Sequence, residues 1–181
     1  MNHNSRPFQE IEVKVRIDQA DLPTVRERLQ ALGLSSLGPA ENEQNELYDF
    51  PDGRLTAEGC ALRLRRVANA AWLTFKGPQV PHPTLKIREE FECPVGDVDN
   101  IARILGRLGL QVIFRYSKKR ERLRAMEPAD LEVALDQTPI GCFIELEGSP
   151  EAIRYVADRM GWPEESFITR SYVELYQERG L

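Results

Sequence analysis

Apolar and polar residues alternate with a period of two over most of this chain, the pattern of strands that bury one face. In the first such run, Glu10, Glu12, Lys14 and Arg16 share one side, and Ile11, Val13, Val15 and Ile17 share the other. Alternation predicts strands over roughly 10–17, 45–50, 60–67, 71–77, 85–94, 111–124, 130–136 and 141–147. Three segments change to the i, i+3, i+4, i+7 spacing of amphipathic helices. One follows Asp21 with Pro23 in its first turn, turns Val25, Leu29 and Leu32 inward, and stops at Gly33. A second follows Asp97, uses Ile101, Ile104, Leu105 and Leu108, and stops at Gly109. A third begins at Ser149-Pro150, uses Ile153, Val156, Ala157 and Met160, and stops at Gly161. Each pairs a start signal with a glycine stop. A short final helix is expected after Ser171.

Pro51-Asp52-Gly53 reads as a turn and Asn69-Ala70 as a hairpin tip. Gly77-Pro78 through His82-Pro83 reads as a proline-punctuated loop, the segment expected to move most. The connections are too short for parallel crossovers, so the sheet is expected to be largely antiparallel. At 181 residues without a shift of composition, the expectation is one α+β domain over 1–181 with a core near 8–177.

Composition removes several classes. Apolar residues make up 41% of the chain, enough for a core, so collagen-like and disordered readings fall away. No apolar run approaches the ~20 residues of a membrane span. The stretch Met1–Pro7 lacks a hydrophobic signal core, and Cys60, Cys93 and Cys142 have neither metal-site spacing nor disulfide logic. Both point to the cytoplasm. A net charge of −5 disfavours a general nucleic-acid binder.

Charge position matters more than net charge. Arg63 and Arg65 share a strand face, as do Trp72, Thr74 and Lys76. So do Lys86, Arg88, Glu90 and Glu92; Lys118, Arg120, Arg122 and Arg124; and Phe143, Glu145 and Glu147. Glu-x-Glu occurs at 10–12, 90–92 and 145–147, each shortly before a helix. Nearly every strand therefore has one charged and one apolar face. A closed sheet clad by the helices would turn the charged faces into its lumen, and eight strands can enclose one small ligand. Carboxylates would there hold divalent cations while basic groups hold phosphate oxygens. The same alternation also fits an open sheet with its charged face in water.

The order of motifs resembles the CYTH family, the triphosphate tunnel metalloenzymes. Glu10-Ile11-Glu12-Val13-Lys14 is similar to its N-terminal ExExK signature. Leu62-Arg63-Leu64-Arg65, Thr74-Phe75-Lys76-Gly77-Pro78 and Arg88-Glu89-Glu90-Phe91-Glu92 follow in order. Lys118-Lys119-Arg120, Asp136, Gly141 to Glu147 and Arg170-Ser171-Tyr172 complete the series. The resemblance implies an eight-stranded antiparallel β-barrel that binds a triphosphate with Mg²⁺ or Mn²⁺.

It implies metal-holding roles for Glu10, Glu12, Glu145, Glu147 and Asp136, and phosphate contacts for Lys14, Arg63, Arg65, Lys76, Lys118 and Arg120. Glu10, Glu12, Lys14 and Lys76 form the expected catalytic set. Arg88 is a further phosphate candidate, with Lys86, Arg16 and Arg122 behind it. Glu90 and Glu92 either bind metal or orient basic side chains. The activity implied is hydrolysis of tripolyphosphate, ATP or thiamine triphosphate; the alternative is an adenylyl cyclase forming cyclic AMP and pyrophosphate. A non-catalytic polyphosphate or nucleotide binder is a third reading, and both acidic and basic sets argue against it. His3 and His82, in a tail and a loop, are read as solvent-facing, and no base-recognition motif is evident.

Overall fold

The computed structural model describes residues 9–125 and 130–180, so His3 and the N-terminal tail lie outside it. Ten strands run in chain order: β1 Gln9–Ile17, β2 Leu34–Ser36, β3 Glu41–Asp49, β4 Ala61–Val67 and β5 Ala70–Val80, then β6 Lys86–Val95, β7 Gln111–Ala125, β8 Glu132–Thr138, β9 Gly141–Glu147 and β10 Phe167–Ile168. Five helices join them: α1 Leu22–Ala31, α2 Arg54–Ala57, α3 Val98–Arg107, α4 Pro150–Met160 and α5 Tyr172–Gln177. The hydrogen-bonded order is β10-β1-β6-β5-β4-β3-β7-β8-β9, and β1 also pairs with β9. Eight strands, β1 and β3 to β9, thereby close a ring. The fold is α+β: a closed eight-stranded antiparallel barrel with short extra strands. The open sheet is excluded.

The chain forms two compact units. The first holds residues up to Glu10, Asn42–Val80 and Arg88–Ser117. Its core gathers Tyr48, Leu64, Leu105 and Leu110, with Phe50, Leu62, Leu73, Val98, Ile101 and Ala102 packed around them. Here α3 departs from expectation. Ile104 and Leu108 are 52% and 65% exposed, while Leu105 is buried. The stripe that meets the sheet is Val98, Ile101, Ala102 and Leu105, an i, i+3, i+4, i+7 set that leaves Ile104 and Leu108 to one side.

The second unit holds Ile11–Glu41, Pro81–Ile87 and the chain from Lys118. Leu22, Val25 and Leu29 of α1 and Ala152, Ile153, Val156, Ala157 and Met160 of α4 pack on Val13, Leu123, Val133, Leu135, Ile144 and Leu146. These strand residues all lie on the apolar side of the alternation. Ser149 caps α4 by accepting from the Ala152 amide at 3.3 Å, and Gly161 ends it at φ +75°, where a Cβ would strain the backbone. By contrast Asp21 makes no side-chain cap; a 3₁₀ turn over Gln19–Asp21 leads into α1 instead.

Other differences are small. β3 begins four residues earlier than expected, at Glu41, and β5 continues through Gly77-Pro78 to Val80, which narrows the proline loop to 81–85. The β4–β5 turn falls on Ala68-Asn69, with Ala68 at φ +48°. Cys60 precedes β4 rather than lying in it. Among the described residues, no helix is long and apolar enough to cross a membrane.

Candidate functional site

The strand faces opposite the helices carry charges, and many of these charges are buried. Lys14, Glu12, Arg65, Lys86, Arg88, Lys118, Arg120, Asp136 and Glu145 are each less than a tenth exposed. Burying an ion costs several kcal/mol even after relaxation, so each buried charge needs a partner. Both units supply such partners.

In the second unit, cross-strand register makes the pairs. Lys14 lies opposite Glu145 on β9, and Arg120 lies opposite Asp136 on β8. The Glu12 carboxylate accepts from Lys14 Nζ at 2.9 Å and from Lys86 Nζ at 2.8 Å. Glu145 accepts from Arg120 at 2.7 Å and lies 3.3 Å from Lys14. Asp136, wholly buried, accepts from both arms of the Arg120 fork at 2.6 Å, from Lys118 at 3.0 Å and from the Tyr172 hydroxyl. Burial alone would raise the Asp136 pKa, but the Arg120 and Lys118 charges outweigh it and hold the carboxyl below its usual range. Tyr172 is pushed well above its ordinary value by burial and by the Asp136 and Glu145 charges, so it remains a donor. The Tyr172 ring also lies beneath Lys118 at 4.7 Å and Lys14 at 5.4 Å, and meets Phe143 edge-on.

In the first unit, Lys76 Nζ is held by both oxygens of Glu10 at 2.7 Å and by Glu90 at 2.8 Å. Burial pulls the Glu90 pKa upward; Lys76, a hydrogen bond with Glu10 and the Arg63 charge pull it further down, and they prevail. Glu92 accepts from Arg65 at 2.9 Å and from Thr74 at 2.6 Å, with Arg63 at 3.6 Å. Glu92 is thus in contact with two arginines of β4 and a threonine of β5. Arg65 also faces Glu43 at 3.6 Å and stands over the Trp72 ring at 5.0 Å.

Several further candidate residues have contacts of their own. The Arg88 guanidinium donates to the carbonyls of Gly59 and Gly77 at 2.6 Å and of Lys76 at 3.3 Å, bracing backbone instead of presenting a free fork. Glu147 lies at the exposed end of β9. Arg16 is exposed, donates to the Ile140 carbonyl at 2.9 Å and covers Phe143. Arg122 lies 3.6 Å from Glu132. His82 accepts from the Thr84 and Leu85 amides and orders its own loop. Sequence reasoning passes over Glu43 and takes Tyr172 only as part of the Arg170-Ser171-Tyr172 motif: Glu43 precedes the expected start of its strand, and a tyrosine's partners are set by tertiary packing.

The acidic side chains share cations in pairs: Glu10 and Glu90 on Lys76, Glu12 and Glu145 on Lys14. Among the described residues no three His, Cys, Asp or Glu side chains converge on a metal-ligating point. Pairs of hard oxygen donors suit Mg²⁺, which takes one or two carboxylates and completes its shell with water and phosphate oxygens.

Strands that close a hydrogen-bonded ring and carry buried, paired charges on the face opposite the helices define a class of antiparallel α+β barrel. The sequence profile of the CYTH domain matches residues 9–172, and the chain belongs to that family. Solved structures agree in fold. A Vibrio parahaemolyticus protein provisionally described as an adenylate cyclase is 22% identical, with 93% of this chain and 97% of that one aligned at a TM-score of 0.78. A Pyrococcus horikoshii OT3 protein is 27% identical over 94% and 99% of the chains, with a TM-score of 0.76. A Hippeastrum protein described as an adenylyl cyclase candidate with a dominant triphosphatase activity is 18% identical over 95% and 97%, with a TM-score of 0.68. No curated protein matches the chain.

Proposed function

We propose that the protein is a divalent-metal-dependent enzyme acting on a triphosphate, and that hydrolysis is its main reaction. The observation that carries this reading is the burial of Lys14, Lys118 and Arg120 on polar strand faces among carboxylates. Such pairs add little stability over an apolar core of equal volume. On this reading their value lies in exchange: phosphate oxygens would replace carboxylates on the basic groups, leaving those carboxylates to hold a cation.

On this reading Lys14, Lys118 and Arg120 in the second unit, and Arg63, Arg65 and Lys76 in the first, contact phosphate oxygens. Arginine supplies a planar fork and lysine a point charge. Glu10, Glu90, Glu12 and Glu145 fit Mg²⁺ or Mn²⁺, which when bound supplies Lewis-acid neutralisation of developing charge. Asp136, held by Lys118, Arg120 and Tyr172, aims the basic side chains, as Glu92 does for Arg65. Phosphoryl transfer needs mostly positioning and charge neutralisation, so no Ser or Cys nucleophile is required.

The test is product analysis with ATP, tripolyphosphate and thiamine triphosphate, each with Mg²⁺, Mn²⁺ or chelator. Orthophosphate release that stops on chelation is expected. Glu12→Gln keeps an acceptor for one lysine and should lower kcat by roughly 10²-fold or more. Full turnover in chelator would sink the proposal. Cyclic AMP and pyrophosphate from ATP, with tripolyphosphate intact, would replace hydrolysis by cyclisation on the same residues.

A further inference from the structure

Asn45 stands outside the ion-pair network of the first unit. It is 1% exposed, and neither the nitrogen nor the oxygen of its amide has a hydrogen-bond partner among the described residues. Leaving both ends of an amide buried and unpaired costs free energy, and such a group in a native protein calls for an explanation. Register supplies its surroundings. Asn45 on β3 lies opposite Arg65 on β4, and Arg65 lies opposite Trp72 on β5. Amide, guanidinium and indole therefore form one row across three adjacent strands on a single face.

The row is rigid where it needs to be. Glu92 at 2.9 Å and Glu43 at 3.6 Å fix Arg65, whose guanidinium stands 5.0 Å over the Trp72 ring. Trp72 itself is only half-buried. Arg65 is itself one of the basic groups assigned above to phosphate. Two residues along the same strands come Arg63 and Thr74, and two further comes Lys76, so Asn45 and Trp72 flank the end of that set.

We propose that Asn45 and Trp72 are specificity residues for the base of a nucleoside triphosphate. This rests on the triphosphate reading and names its substrate class. The Asn45 amide carries one donor and one acceptor side by side, the complement of an adenine edge, where asparagine pairs with N6 and N7. The indole supplies a flat surface on which a base stacks. Tripolyphosphate has no base, so it gains nothing from Asn45 or Trp72.

The experiment compares ATP with tripolyphosphate in wild type, Asn45→Leu and Trp72→Ala, with melting temperature measured alongside. Leucine is close to asparagine in shape and removes the unpaired amide. Asn45→Leu is expected to melt higher than wild type while its kcat/KM for ATP, relative to tripolyphosphate, falls about tenfold. Trp72→Ala should lower the same ratio by a similar factor. A lower melting temperature for Asn45→Leu, or an ATP-to-tripolyphosphate ratio equal to wild type in both variants, would overturn the assignment while leaving the triphosphate reading in place. A wild type inert towards both compounds would remove the triphosphate reading, and this inference with it.

Discussion

Asp136 shows how one residue can organise a polar interior. It is wholly buried yet ionised, because Arg120, Lys118 and Tyr172 together return what burial takes away. Its folded pKa lies below the ordinary carboxylate value of about 3.9. A depressed folded pKa contributes stability that is fully present above the unfolded value and is lost as pH falls through the folded one. Urea unfolding should therefore show stability declining below about pH 4. Asp136→Asn should flatten that decline and lower stability at pH 7 by about 3–5 kcal/mol, the usual effect of stranding buried cationic partners. A variant as stable as wild type at pH 7 would show that Lys118 and Arg120 need no such anchor.

At the scale of elements, the helices hold the barrel by one stripe each. In α3 that stripe includes Leu105, 6% exposed, and leaves out Ile104, 52% exposed. Leu105→Ala should cost about 2–5 kcal/mol through the cavity it opens. Ile104→Ala should stay within about 0.5 kcal/mol of wild type. Equal losses from the two changes, measured by denaturant midpoint, would place Ile104 against the sheet as its spacing alone suggests. The spacing misleads because Ile101, Ile104, Leu105 and Leu108 form an acceptable apolar arc by themselves. Which side of the arc meets strands depends on how the chain leaves β6 and enters β7.

For the molecule as a whole, the function proposed above predicts that a triphosphate bound with its cation stabilises the fold. Ligand at about 100 times its dissociation constant stabilises the bound state by roughly 2.7 kcal/mol. In a chain of this size that corresponds to a rise in Tm of about 5–10 °C. Differential scanning fluorimetry with tripolyphosphate and Mg²⁺ should show it, and Lys76→Ala should reduce it. An unchanged Tm at saturating ligand would mean that the charges serve only one another.

Alternation alone determined most of the architecture. Eight strands, the three longer helices and the division into charged and apolar faces were all legible, because a period of two and a period of 3.6 each leave a local signature. That Glu10, Glu12 and Lys14, Arg63 and Arg65, and Lys118 and Arg120 lie on the charged faces was legible as well, since sharing a face is a property of one strand; Asp136 came only with the family resemblance. Closure was not legible. Open and closed sheets have the same alternation, and only the β1–β9 pairing decides between them. Partners were not legible either: whether Arg88 meets a ligand or the carbonyls of Gly59 and Gly77 depends on segments far apart in sequence. The same holds for Asn45, whose unpaired amide, and whose place in a row with Arg65 and Trp72, exist only once three strands lie in register. A residue's face is set by its own strand; its neighbours are set by long-range pairing, which no local pattern encodes.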